Sequence, residues 1–162
     1  MLSFCQWLHQ TPLSTAIRES IWVYPILNVL HCAGILLVAG TIVVVDLRLL
    51  GLGLRRLPVS SVVGQVVPWT LYGFGFMALT GSLLALSEPV RLYKSEFFPW
   101  KLAFLALAGL NAVFFHLGVY RGVSAWDLKT ATPARARLAG IVSIVCWICV
   151  IAAGRAVGYE SL

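Results

Sequence analysis

Charged residues are scarce in this sequence: Asp, Glu, Lys and Arg account for 11% of the 162 residues, against about 25% in typical soluble domains. Acidic residues are the scarcest, with six Asp and Glu in total. The apolar fraction is 60% and the mean hydropathy is +0.91. These values exclude an ordinary soluble domain and predict a chain that lies in a lipid bilayer.

Recognisable catalytic motifs are also absent from the sequence. There is no nucleophile with its base, no pair of carboxylates and no phosphate-binding loop, so a self-contained enzyme is the least supported class. The twelve Lys and Arg lie between apolar segments and form no long basic run, which argues against nucleic acid as a partner. The chain is too short for a separate soluble domain beside its membrane spans, so we expect its function inside the bundle or at its rims.

Sulfur-containing residues are few. Met1 and Met77 are the two methionines, and this weakens a copper-transport function because copper pathways favour thioether ligands. Cys32, Cys146 and Cys149 fall inside apolar segments, where an extracellular disulfide framework is implausible. The last two form a CxxC motif, but apolar surroundings disfavour a reactive thiolate and no second cysteine pair lies in a loop. We therefore predict a packing role for this motif.

Four long apolar segments dominate the sequence, over residues 21–45, 66–86, 102–120 and 138–158. Each is close to the ~20 residues with which a helix crosses ~30 Å of hydrocarbon. Backbone amides in lipid must be satisfied within their own segment, and no period-two alternation suggests a barrel. The sequence therefore predicts one transmembrane domain over residues 1–162, an all-α integral membrane four-helix bundle.

The residues before the first span predict a short N-terminal helix that lies in the membrane interface. From Leu2 to His9, polar residues recur at helical spacing against apolar ones. Thr11 and Pro12 then provide a stop, or an N-cap followed by proline at the first helical position. There is no basic n-region and no small-residue cleavage site, so we expect this segment to remain on the mature protein, with His9 exposed.

The basic residues predict the orientation in the membrane. Seven of them lie in the two loops that connect the first span to the second and the third to the fourth, and five lie on the opposite side. The seven are Arg48, Arg55, Arg56, Arg121, Lys129, Arg135 and Arg137, and the five are Arg18, Arg91, Lys94, Lys101 and Arg155. The positive-inside rule then places both termini outside the cytoplasm.

Strongly polar side chains within the spans are functional candidates, because a charge near the centre of a membrane helix costs ~2.5 to 3.5 kcal/mol or more. The sequence has few of them. They are Asn28, His31, Asp46 and Arg48 in or at the end of the first span, and Asn111 and His116 in the third.

The two histidines predict a haem b site. Counted from the span ends, His31 lies ~15 Å and His116 ~22 Å below the outer face, a difference of ~7 Å against a boundary error of ~4.5 Å for each. Imidazoles from two facing helices are the usual axial ligands of haem b in a bundle. The predicted site has both histidines as iron ligands, with Gly34, Asn111 and Arg48 as further cofactor contacts.

Other interpretations of these residues remain open. Each histidine could instead hydrogen-bond to a neighbouring helix, His31 to Asn111 or to a backbone carbonyl. Asp46 and Arg48 could form a surface ion pair that anchors the topology. A proton relay is a third possibility, but no further carboxylate lies within the spans to continue it. A scaffold without cofactor, or a metal-transport accessory subunit, is the alternative to a haem protein.

Several stretches together resemble a family of small bacterial four-helix membrane proteins of unknown function. They are ESIWVYP at Glu19–Pro25, His31 with Gly34 and Gly40, DLRLLG at Asp46–Gly51, and Phe98–Lys101 through Asn111 to His116. The layout is also similar to copper-resistance D type proteins and to small membrane cytochromes b. Diheme cytochromes need four histidines on the spans, and this chain has two, so at most one bis-histidine haem is expected.

The resemblance implies a multi-pass protein of the bacterial inner membrane, and in that membrane the positive-inside rule places both termini in the periplasm. The leading functional hypothesis is a haem b subunit that passes single electrons between a quinol or periplasmic donor and a partner protein. No motif decides between a homo-oligomer and a larger membrane complex.

Overall fold

The computed structural model describes residues 1–127 and 132–160, and within these ranges all the regular structure is helical. The elements are α1 (Leu2–His9), α2 (Pro12–Glu19), α3 (Val23–Leu50), α4 (Val59–Ser87), α5 (Pro89–Lys94), α6 (Phe97–Leu117), a 3-10 helix (Val119–Ala125) and α7 (Ala134–Tyr159). Lys129, which contributes to the predicted orientation, lies outside the described residues.

Four of these helices, α3, α4, α6 and α7, are long and apolar enough to cross a membrane. They coincide with the four predicted spans and confirm the all-α four-helix membrane bundle. Two of the predicted span ends differ from the structure. The first span continues as regular helix to Leu50, five residues beyond its predicted end, while the third ends at Leu117 because Gly118 leaves the helical conformation (φ −106°, ψ −86°).

The bundle has two distinct ends. We call the end with α1, α2, α5 and the start of α3 the terminal end. The end with the α3–α4 connection and the 3-10 helix is the loop end. Helices α3 and α6 run from the terminal end to the loop end, and α4 and α7 run back.

The long helices pack as a chain of neighbours rather than a closed ring. Helix α3 packs on α4 and on α7, and α6 packs on α7, whereas α4 and α6 make little direct contact along the described residues. Glycines allow the close approaches: a Cβ atom at Gly73 would lie 3.0 Å from the Val38 side chain, and one at Gly140 would lie 3.4 Å from the Asp46 carbonyl oxygen. Because α4 and α6 make little direct contact, a seam remains between them, which we call the α4–α6 gap.

The buried apolar side chains form two clusters at different heights in the bundle. One cluster lies in the middle of the bundle and the other near the loop end. The first contains Val38, Met77, Trp147 and Val150, and the second contains Leu49, Val59, Val63, Phe115, Trp126 and Ala136.

The N-terminal segment folds over the terminal end. Thr11 caps α2 by accepting a hydrogen bond from the Ser14 amide, and Pro12 occupies the first turn, as predicted. The predicted exposure of His9 is wrong. Arg18 donates to the carbonyl oxygens of both His9 and Ser87, and this ties α2 to α1 and to the end of α4 and leaves His9 half-buried.

Three residues fasten the loop end, and we call them the loop-end clamp: Arg48, Ser60 and Asp127. The Asp127 carboxylate accepts hydrogen bonds from the Ser60 amide, at 2.8 Å, and from the Ser60 hydroxyl. Arg48 donates to the carbonyl oxygens of Leu57, at 2.7 Å, and of Asp127. Burial would raise the pKa of Asp127, but the bonds from Ser60 and the charge of Arg48 outweigh burial and lower it.

Candidate functional site

A cavity of about 500 Å³ lies inside the bundle, toward the loop end, between the two core clusters. All four long helices contribute to its wall, which is mostly apolar. Leu71 and Phe74 border the cavity on α4 and are themselves 66% and 41% exposed on the outer surface of the bundle. The cavity is therefore open sideways, through the α4–α6 gap, toward the lipid.

Most polar groups in the cavity wall gather toward one end; the exception is Thr70 on α4, whose hydroxyl donates a hydrogen bond to the Thr41 hydroxyl. Asp46 and His116 are the last wall residues of α3 and α6, which both run toward the loop end, and Asn111 and Ser143 lie nearby on α6 and α7. We call these four residues the polar end of the cavity. The opposite end is formed by apolar and aromatic side chains, including Trp147. The cavity thus offers hydrogen-bonding groups at one end and apolar surface along the rest.

Asp46 is the most unusual member of the polar end. It is 4% exposed, and its Oδ2 atom has no hydrogen-bond partner among the described residues. Ser143 on α7 approaches the carboxyl group, and the glycine at position 140 lets the α3 backbone at Asp46 come close to α7. A buried carboxyl oxygen without a partner is costly, so its position in a cavity wall requires explanation.

The predicted surface ion pair between Asp46 and Arg48 is wrong. Both residues are buried, and Arg48 belongs to the loop-end clamp, where it donates to backbone carbonyl oxygens. Residues two apart on a helix do not face each other, so the two side chains point to different surroundings. Asp46 is thus left inside the bundle without the cation that follows it in the sequence.

Asn111 and His116 are both held in the wall by neighbours. The Asn111 side-chain amide donates to the Ala139 carbonyl oxygen at 2.9 Å, which ties α6 to α7. This contact makes the alternative prediction of an Asn111 bond to His31 wrong. The half-buried His116 ring makes edge contacts with Phe115 and Tyr120, at 5.3 and 5.4 Å between ring centres.

His31 lies toward the terminal end and outside the cavity. Its Nδ1 atom is 3.1 Å from the Thr80 hydroxyl oxygen on α4, and a Cβ atom at Gly81 would lie 2.9 Å from its ring. Lys101, near the start of α6, is close enough for its charge to act on this ring. His31 therefore hydrogen-bonds to a neighbouring helix, as one of the alternative interpretations of the sequence expected, but its partner is a hydroxyl group and not Asn111 or a backbone carbonyl.

The structure does not bring His31 and His116 together. His31 lies near the level of Lys101, and His116 follows Lys101 by fifteen residues on the same helix, which corresponds to ~22 Å along its axis. One iron atom cannot take both rings as axial ligands in this arrangement. Among the described residues, no group of three or more His, Cys, Asp and Glu is placed to hold a metal ion. Haem binding itself stays a prediction.

The remaining predicted cofactor contacts divide between different places. Asn111 lines the cavity with His116. The space beside Gly34 is filled by α4, since a Cβ atom there would lie 3.3 Å from the Met77 and Phe76 side chains. Arg48 is engaged in the loop-end clamp. Two of the five predicted residues thus share one site.

Sequence reasoning missed Asp46 and Ser143 as partners in this site. The missed signal for Asp46 is the apolar run that continues past it, with Leu47, Leu49 and Leu50, and that extends the helix beyond the predicted span. No comparable signal marks Ser143, because its role depends on which helix faces α3.

Comparison with known proteins supports one part of the resemblance. A family model described as a family of unknown function (DUF6644) matches residues 7–160, which is nearly the whole chain. No curated protein and no solved structure matches the chain. The expected membership of a family of unknown function is confirmed, and the likeness to copper-resistance D type proteins and to cytochromes b stays a prediction.

Proposed function

Since this chain belongs to the DUF6644 family of unknown function, we propose its function from the site itself: a membrane-embedded binding protein for a lipid-soluble small molecule with a polar head group. One observation carries the proposal. A cavity that opens toward the lipid contains, at its polar end, a buried carboxyl group with an unpartnered oxygen. Mostly apolar cavities with a few convergent polar groups are typical of small-molecule sites.

The unpartnered oxygen of Asp46 favours an occupied cavity over a packing defect. Leaving a buried polar group unsatisfied costs about 1 to 3 kcal/mol, and a ligand removes this cost if it donates a hydrogen bond to this oxygen or accepts one from the protonated carboxyl group. The volume of about 500 Å³ lies within the ~300 to 1,000 Å³ of common ligand sites. The head group of the ligand would lie at the polar end.

The shape of the wall supports entry from the bilayer. Small residues on α6, Ala108, Gly109 and Ala112, face the cavity, and a Cβ atom at Gly109 would meet nothing within 4 Å. An apolar tail can therefore extend through the α4–α6 gap into lipid while the head group stays inside. A molecule that enters by this route must itself be lipid-soluble.

Filling the cavity tests this function. Gly109→Leu places a side chain in the open space of the cavity. Gly75→Leu is the control: a Cβ atom at Gly75 on α4 also meets nothing within 4 Å, but Gly75 does not line the cavity. Binding of decyl-benzoquinone, a neutral lipid-soluble probe, is measured by quenching of tryptophan fluorescence in detergent, since Trp147 lines the cavity. We expect at least a tenfold loss of affinity in Gly109→Leu and none in Gly75→Leu. Equal binding by both variants would contradict the proposed site.

Haem b binding with electron transfer from a quinol to a partner protein is a second proposal, favoured by the position of His116 in the cavity wall. In this form His116 alone would hold the haem iron, in line with the looser analogy to small membrane cytochromes b. A reduced-minus-oxidised visible spectrum of the purified protein tests it. We expect His116→Ala to lose the haem bands and His31→Ala to keep them. A colourless protein from cells with ample haem supply would overturn the proposal.

The orientation is proposed on the charges alone. With the loop end in the cytoplasm of a bacterial inner membrane, the exposed arginines at 55, 56, 121, 135 and 137 face the side that the positive-inside rule favours. A reporter that is active only in the cytoplasm, fused to the C-terminus, should be inactive. An active fusion would invert the orientation.

A further inference from the structure

We infer that the ligand of this cavity is a lipophilic organic cation, and that the cation binds at Asp46 in exchange for a proton. The inference rests on the proposed function, because it names the class of molecule that the cavity would take. The exchange is balanced: neutral Asp46 loses its proton to the surrounding buffer, and the resulting carboxylate pairs with the incoming cation. No bond other than O–H is broken and no electron is transferred.

The first argument is the absence of a counter-charge near Asp46 among the described residues. On its own helix, Arg48 is engaged in the loop-end clamp. From α4 the cavity wall has Thr70 and apolar residues, from α7 it has Ser143, and from α6 it has Asn111 and one titratable group, His116. The arginines at the start of α7, Arg135 and Arg137, are exposed. A buried charge with no partner is strongly unfavourable, so either a proton or a cation must neutralise this carboxyl group.

The second argument concerns which cation can take this place. Ca²⁺ takes six to eight oxygen ligands, usually with several carboxylates, whereas this wall has one carboxyl group and no group of three or more His, Cys, Asp and Glu is placed to hold a metal ion among the described residues. An organic cation with bulky apolar groups is weakly hydrated and loses little on entering the cavity. Its single charge matches the single carboxyl group.

The third argument is the aromatic character of the wall. Phe74 on α4, Phe115 on α6 and Trp147 on α7 all line the cavity. Aromatic faces attract cations and also pack well against apolar substituents. The cavity thus combines one carboxyl group with aromatic surface from three helices, a combination that suits an aromatic amine or a phosphonium ion better than a neutral lipid.

The position of His116 sharpens the expected pH dependence. His116 lines the same cavity, so its protonated form would repel a bound cation. Raising the pH removes protons from both His116 and Asp46, and both changes favour the cation. The apparent affinity should therefore rise with pH, by up to tenfold per pH unit where one proton is released for each cation bound.

Tetraphenylphosphonium is a suitable probe, with the full chain in detergent. Calorimetric titration in buffers of different ionisation enthalpy measures both its affinity and the number of protons released. We expect about one proton per bound cation at mildly acidic pH, and an affinity that increases with pH. Asp46→Asn should lower the affinity at least tenfold and remove the proton that Asp46 releases, leaving only any release from His116. Asp46→Glu, which keeps the charge, should retain both the affinity and the release. Glu96→Gln, which removes an exposed carboxylate at the terminal end, should behave as wild type.

The outcomes separate this inference from the proposed function. If decyl-benzoquinone binds and Gly109→Leu abolishes its binding, but tetraphenylphosphonium does not bind, the inference is overturned and the proposed function stands. If tetraphenylphosphonium binds wild type and Asp46→Asn equally, without release of protons, the inference is also overturned, since the cation is then held by apolar contact alone. If neither probe binds, both proposals fail. Circular dichroism and size-exclusion chromatography of each variant confirm that the fold is retained.

Discussion

The two intramembrane histidines lie in contrasting surroundings. Toward the terminal end, the His31 ring is bonded to Thr80 and lies so close to Gly81 that no further atom fits between them. Toward the loop end, His116 lines the same open cavity as Asp46, whose carboxyl group has an unpartnered oxygen. The same residue type thus packs tightly against a neighbouring helix at position 31 and lines a cavity at position 116. A polar residue in a membrane is marked as a site by the packing around it, more than by its type.

Identical substitutions at the two places should give the most different results. Gly81→Leu forces a side chain against the His31 ring, and overpacking of this kind typically costs about 1 to 3 kcal/mol. Gly109→Leu enters open space and replaces glycine by a better helix former, so its stability should be unchanged or slightly higher. Thermal unfolding of both variants in the same detergent measures the difference. A similar fall in Tm for both would show that the cavity is not open.

Removing the partner of His31 should have a smaller effect, confined to stability. Thr80→Val deletes the hydroxyl that lies 3.1 Å from the ring, and hydrogen bonds between membrane helices contribute ~0.6 to 2 kcal/mol. We expect a modestly lower Tm with unchanged binding of decyl-benzoquinone, because Thr80 does not line the cavity. Weaker binding of decyl-benzoquinone by Thr80→Val would instead show that the hydrogen bond at His31 affects the cavity near His116.

The smallest effect at neutral pH, and the one that depends on pH, concerns the loop-end clamp. Since the folded state lowers the pKa of Asp127 below its ordinary 3.8, this residue stabilises the fold above about pH 4, and the stabilisation is lost as the pH falls through the lowered value. Asp127→Asn should therefore lower the Tm at pH 7, and its effect on the Tm should become smaller as the pH falls below 3.8. An effect on the Tm that does not change with pH would indicate that the charge of the carboxylate is not what matters.

Local signals in the sequence were sufficient for the architecture. Apolar runs of the right length predict the four spans, and Thr11 followed by Pro12 predicts the start of α2, because each signal acts within its own segment. The site depends on relations between segments. The depth of each histidine was counted from a hydropathy boundary, but α6 begins at Phe97, five residues before the predicted start of its span. An error of five residues shifts the expected depth of a side chain by more than one helical turn.

Asp46 shows the same limit more sharply. A predicted span that ends at residue 45 places Asp46 at the membrane surface, beside Arg48 and with access to water. The structure continues α3 to Leu50 and buries the carboxyl group against α7. The hydrophobic periodicity of α3 and α7 does not show which helix faces α3 at this height, because both helices are apolar on all sides. The most informative residue of the site is therefore one that only the tertiary contacts can place.

The α4–α6 gap has a consequence for how occupancy would be controlled. A molecule that enters through this seam comes from the hydrocarbon phase, where lipophilic compounds reach concentrations far above those in the surrounding water. The fraction of cavities filled then depends on how strongly a compound partitions into the bilayer as well as on its contacts at the polar end. Two compounds with identical contacts but different oil–water partition coefficients would occupy the protein to different extents at the same concentration in water.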